Sequence, residues 1–70
     1  MTKQEFIEKL IDLLDVEVDE NTNLIELEEW DSLAMLGLLS LYDELEVEID
    51  IDEMDNFKSV KDLLQKANLA

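Results

Sequence analysis

Glu29-Trp30-Asp31-Ser32-Leu33-Ala34-Met35-Leu36-Gly37-Leu38-Leu39-Ser40-Leu41-Tyr42-Asp43-Glu44-Leu45 is the stretch on which the fold turns. An acid and a serine open it, and an almost unbroken apolar run of helical length comes after them. Asp31 stands where an N-cap or first-turn acid satisfies free backbone N–H groups and meets the positive end of the helix dipole. Met35, Leu38, Leu39, Tyr42 and Leu45 recur at helical spacing and define the expected core face. Ser32, Leu33, Leu36, Gly37 and Ser40 fall on the other side, which leaves Leu33 and Leu36 as exposed apolar surface near the helix start. A patch of that kind suggests docking, although one exposed leucine alone would mean nothing.

Upstream, residues 15 to 30 read as a long acidic loop. Asn21-Thr22-Asn23 is a turn signal, and Leu24, Leu27 and Trp30, three residues apart, pin the loop to the core. A loop of this length in a compact domain points to function at the helix start that it leads into. Before the loop, Thr2 and Glu5 have the spacing of a capping box, and Phe6, Ile7, Leu10, Ile11 and Leu14 form one apolar face, giving a helix from Thr2 to about Leu14. Downstream, Val47, Ile49 and Ile51 alternate with acids as a strand would, but no second strand exists to pair with them. An extended connector is the expectation there. Asp50 and Glu53 cap a short helix to about Asp55; Ser59 and Asp62 cap a last one whose inner face is Val60, Leu63, Leu64 and Ala67. The expected architecture is all-α: a single domain over residues 1–70, a small four-helix bundle of three main helices and one short one, with a long first loop.

Composition removes whole classes of function. The 70 residues carry 20 acids against five lysines, a formal net charge of −15, with no arginine, histidine or cysteine. Between Lys9 and Lys58 there are seventeen acids and no base. Nucleic-acid phosphates and anionic membranes would be repelled by such a surface, and a basic protein would be attracted. Disorder is opposed by the 47% hydrophobic content and its regular patterning. The start of the chain lacks a signal-peptide pattern and no apolar run could span a bilayer, so a soluble, cytoplasmic monomer is expected. Ser32 has no histidine to activate it and there is no thiol nucleophile, so no enzyme is expected. Asp50, Asp52, Glu53 and Asp55 resemble a calcium loop only superficially, because the central glycine and terminal glutamate are not in register. No dedicated metal site is expected.

Glu29-Trp30-Asp31-Ser32-Leu33, placed after a long loop and at the start of an apolar helix, resembles the attachment site of acyl carrier proteins. Asp-Ser-Leu alone also describes an ordinary capped helix start. Chain length, acidity, helix order, the long loop and the lack of cysteine and histidine agree with the resemblance along the whole chain. It implies that a phosphopantetheinyl transferase moves 4'-phosphopantetheine from coenzyme A to Ser32, and that acyl groups ride on the terminal thiol as thioesters. It further implies partner recognition by Asp31, Leu33 and Leu36, with Asp43 and Glu44 as acids later in the helix. The partners would be acyl-loading and acyl-using enzymes with basic docking surfaces, in fatty-acid, lipid or polyketide-type biosynthesis.

The departures bear on subtype. Fatty-acid-synthase carriers usually have acids two and five residues after the serine, where this chain has Ala34 and Gly37. Their helix commonly ends near phenylalanine-glycine, where this chain has Leu45-Glu46 and is expected simply to unwind. These differences favour a specialised carrier. A stand-alone aminoacyl or peptidyl carrier and an unmodified acidic adaptor for a basic protein are the other readings. The charge itself makes a prediction independent of all three. Seventeen acids without an intervening base repel one another and salt screens that repulsion. The melting temperature should therefore rise with sodium chloride and rise further with millimolar magnesium; a flat response to both would show that the charge strain is negligible.

Overall fold

The computed structural model describes residues 1–69. Among them four α-helices form: α1 (Lys3–Leu14), α2 (Ser32–Glu44), the short α3 (Ile51–Asp55) and α4 (Val60–Lys66). The helices start where the capping residues dictate. Thr2 Oγ1 accepts from the Glu5 N–H at 3.1 Å while the Glu5 carboxylate accepts from the Thr2 N–H at 3.2 Å. Asp31 Oδ1 accepts from the Ala34 N–H at 3.0 Å and Asp50 Oδ1 from the Glu53 N–H at 2.9 Å. At α4 the Asp62 carboxylate accepts from the N–H groups of both Lys58 and Ser59. Each such cap is worth about 1 kcal/mol, a large share of what a domain this small can hold in reserve.

The helix ends are less expected. α2 does not unwind at Leu45-Glu46. Glu46 takes the left-handed conformation at φ 59°, and the Val47 N–H donates to the Tyr42 carbonyl at 2.9 Å. That is a Schellman closure, which satisfies carbonyls the helix end would otherwise leave free. α4 ends the same way, with Asn68 at φ 61° and the Leu69 N–H on the Leu64 carbonyl at 2.8 Å. The closure is favourable enough to hold a glutamate in a conformation that glycine adopts without strain.

The loop between α1 and α2 is ordered by backbone rather than by periodicity. It contains a 3-10 turn at Leu24–Glu26, with Leu24 fully buried and Leu27 and Trp30 packed against the core, as their spacing suggested. Val18, which no pattern singled out, is buried as well. The Leu24 N–H donates to the Lys58 carbonyl at 2.9 Å, the Val60 N–H to the Thr22 carbonyl at 3.1 Å and the Lys61 N–H to the Glu20 carbonyl at 3.0 Å. These three bonds strap the loop to the start of α4. The segment 47–50 between α2 and α3 is an extended connector with Val47 and Ile49 packed against the core, as expected; Ile51, expected on the same apolar side, instead opens α3 and is exposed.

The core joins all four helices: Phe6 and Leu10 from α1, Leu38 and Tyr42 from α2, Met54 from α3, and Val60, Leu63 and Leu64 from α4, all fully buried. The expected core face of α2 needs correction. Leu38 and Tyr42 are buried, but the other buried residues of the helix are Ala34 and Leu41, while Met35, Leu39 and Leu45 are only half-buried at the edge. α2 is apolar on nearly every side, so its sequence period could not fix its rotation; packing against α1 and α4 does.

Tyr42 ties that rotation down. Its phenol donates to the Leu63 carbonyl at 2.7 Å, and its ring lies 5.9 Å from that of Phe6. Burial pushes its pKa up. Tyr42→Phe should cost about 1 kcal/mol in urea unfolding at neutral pH, the net worth of one buried hydrogen bond. Because the folded-state pKa is raised, the tyrosine's contribution is complete below the ordinary value near 10 and falls as pH rises beyond it. The stability gap between the two proteins should therefore narrow above about pH 10; a constant gap would show that the phenol ionises without unfolding.

Candidate functional site

Ser32 is the first residue of α2 and is exposed. Asp31, extended at φ −121°, supplies the cap that fixes the helix start beneath it. The Ala34 N–H is taken by the Asp31 carboxylate and the Met35 N–H by the Asp31 carbonyl at 3.0 Å. The N–H groups of Ser32 and Leu33 have no intrahelical acceptor, as at any helix start. The serine hydroxyl is thus held in solvent beside free donors and the positive end of the helix dipole, where a phosphate attached to it would be stabilised.

The site residues expected from the sequence divide into two groups. Asp31, Ser32, Leu33 and Leu36 lie together at the start of α2, with Leu33 76% and Leu36 52% exposed. Asp43 and Glu44 are exposed in the last turn of α2, about 17 Å along the axis from Ser32 at 1.5 Å per residue. An apolar patch at one end of the exposed part of the helix and a carboxylate pair at the other form an elongated surface. Neither acid of the pair is in a salt bridge; the two ion pairs among the described residues, Lys3–Glu20 at 2.7 Å and Lys66–Glu53 at 2.9 Å, lie elsewhere. No three potential metal ligands cluster among the described residues.

Ala34 and Gly37, where the resemblance would place acids, do not belong to that surface. Ala34 is 6% exposed. Gly37 is half-buried, and a Cβ built on it would overlap Leu13 Cδ1 of α1. Both positions face the seam between α1 and α2, so the grouping of Gly37 with the outward residues is corrected. The helix is rolled towards α1, so a carboxylate at position 34 would be buried, and a side chain at position 37 would have to displace the end of the Leu13 side chain. Leu13 is the residue that sequence reasoning missed, because it lies outside the periodic apolar set of α1. The single glycine inside an apolar helix was the available signal for a close neighbour at this point.

Compared with known proteins, the chain matches no family model, no curated protein and no solved structure. The geometry gives its own test of the seam. Ala34→Asp should destabilise the fold by about 2 kcal/mol, the penalty for burying a polar group without a partner. Leu36→Asp, two residues on but exposed, should shift stability by no more than about 0.5 kcal/mol. Equal effects in denaturant titrations would mean that α2 is not rolled as described.

Proposed function

We propose that this chain is an acyl carrier whose Ser32 takes a 4'-phosphopantetheine arm and presents acyl thioesters to partner enzymes. The observation that carries this reading is the exposed Ser32 hydroxyl at the Asp31-capped start of α2, beside the exposed Leu33 and Leu36. In the attachment step Ser32 Oγ forms a bond to the phosphorus that bears pantetheine in coenzyme A. The pyrophosphate linkage breaks, adenosine 3',5'-bisphosphate leaves, and the serine proton passes to the transferase. The chain itself supplies no thiol; the arm brings one, and thioester chemistry then belongs to the arm and to the partners.

The rest of the surface supports the same reading. Partner enzymes with basic docking faces would meet Leu33 and Leu36 as an apolar centre, with Asp31 at one end and Asp43 and Glu44 at the other. Charge at such a rim accelerates encounter more than it tightens the complex. A transferase of broad specificity, with coenzyme A and magnesium, should add one phosphopantetheine to the intact chain, read as a mass increase. Ser32→Ala should take up none while remaining folded, because the cap belongs to Asp31. Modification that persists in Ser32→Ala would place the attachment elsewhere.

A further inference from the structure

Two of the five lysines stand where an acid would serve the fold better. Lys61 lies in the first turn of α4, at the positive end of the helix dipole, and Lys58 comes just before the Ser59 cap. Lys3 has a similar position at the start of α1, but there it is paired with Glu20 at 2.7 Å. Lys66, at the far end of α4, is paired with Glu53 at 2.9 Å. Lys58 and Lys61 are exposed and make no ion pair among the described residues, although 20 acids share the chain with five lysines. The one acid of α4, Asp62, has its carboxylate turned back onto the N–H groups of Lys58 and Ser59. Gln65, the other exposed residue of the helix, is neutral. The outer side of α4 thus carries two unpaired cations and no free carboxylate.

That side is turned away from Ser32. Val60, Leu63 and Leu64 are the buried side of α4, and the phenol of the buried Tyr42 reaches from α2 to the Leu63 carbonyl at 2.7 Å. The two helices meet by their inner sides, so Leu33 and Leu36 point out of one side of the bundle and Lys61 and Gln65 out of the other. The α4 side still offers a foothold: a hollow of about 580 Å³ opens there beside α3, with the half-buried Phe57 and Lys58 among its walls. At about 0.1 M salt the Debye length is about 10 Å, shorter than any dimension of the 27 × 25 × 18 Å molecule. An approaching partner therefore senses the side turned towards it more than the total charge.

We infer that Lys58 and Lys61 cancel the negative field on the α4 side and so keep basic partners from docking there, leaving them the acidic side that bears Ser32. The inference rests on the carrier reading of Ser32 and on its basic partners. Orientation is a difference between two affinities, and weakening the wrong mode improves it as much as strengthening the right one. Two lysines bordered by Asp62, Glu53 and Glu20 cancel the local field without reversing it. That is enough to remove attraction for a basic partner and too little to attract an acidic one.

The test uses the full chain with coenzyme A, magnesium and a phosphopantetheinyl transferase whose rate with the unaltered chain falls as salt is added, which marks its docking face as basic. Lys58→Glu combined with Lys61→Glu gives α4 the attraction it lacks, and acids there suit the helix dipole, so the fold is kept. A substrate that also binds the wrong way round occupies the enzyme without reacting, which lowers kcat and KM together and leaves kcat/KM unchanged. At about 0.1 M salt both constants should fall by about threefold in this double variant, the scale of one or two exposed charge pairs. In a Ser32→Ala background the transferase should shift the amide NMR signals of Phe57 and Gln65 when both glutamates are present, and not when the lysines are intact. Lys58→Gln with Lys61→Gln should move both constants the same way by less, and it carries the test if the glutamate variant is unfolded. A rise in kcat/KM at constant kcat would show that only total charge counts and would overturn the inference. Unchanged constants would overturn it too, as would binding of poly-glutamate to the unaltered chain, which would make the α4 side an acceptor of acidic partners. In each of those cases Ser32 remains the carrier serine. A chain that takes up no phosphopantetheine at Ser32 would overturn the carrier reading itself, and this inference with it.

Discussion

The hydrogen bond from Tyr42 to the Leu63 carbonyl matters beyond its own energy because of the helix it anchors. α2 offers apolar side chains in almost every direction, and hydrophobic burial alone would accept several rotations of it about its axis. A phenol buried among leucines accepts far fewer, since its hydroxyl must find a partner. With Tyr42 bonded to α4 and its ring beside Phe6 of α1, the helix is registered against both neighbours at once. Ala34 and Leu41 turn inward, Ser32, Leu33 and Leu36 turn outward, and Gly37 comes to rest under Leu13.

That registration also settles where charge can be placed. Every acid of α2 is at a terminus: Asp31 caps the start, and Asp43 and Glu44 occupy the last turn, where they oppose the helix dipole. Such a pair is tolerated because it is exposed to water and ions rather than because it stabilises. The inward roll of Ala34 and Gly37 keeps the middle of the helix free of carboxylates. The exposed face therefore has an apolar section near Ser32 and a charged section at the far end.

The fold was legible wherever local chemistry determines structure. The Thr2–Glu5 box, the Asp31 and Asp50 caps and the Asp62 carboxylate all act at the helix starts their spacing indicated. Leu24, Leu27 and Trp30 do anchor the loop. Legibility ended where tertiary contacts decide. The core face of α2 was misplaced towards Met35 and Leu39 because an all-round apolar helix carries no directional signal. The Schellman closures at Glu46 and Asn68 were not readable, because neither residue is the glycine that usually marks one. At the site, the exposure of Ser32, Leu33 and Leu36 could be inferred from sequence, but the meaning of Ala34 and Gly37 could not. Their neighbour is Leu13, more than twenty residues away, and a single sequence holds no record of that pairing.

The strap between residues 20–24 and 58–61 bears on the order in which this chain folds. It closes a loop that contains α2 and α3 entirely, so the helix that begins at Ser32 is held from both sides by contacts remote from it in sequence. Such contacts repay chain entropy late, after the local helices have formed, though the entropic penalty grows only slowly with loop length. Two of the three bonds in the strap come from the N–H groups of Leu24 and Val60, both fully buried, so the strap is seated in the core rather than laid over it. Ser32 thus sits within a closed loop whose clasp is anchored in the core.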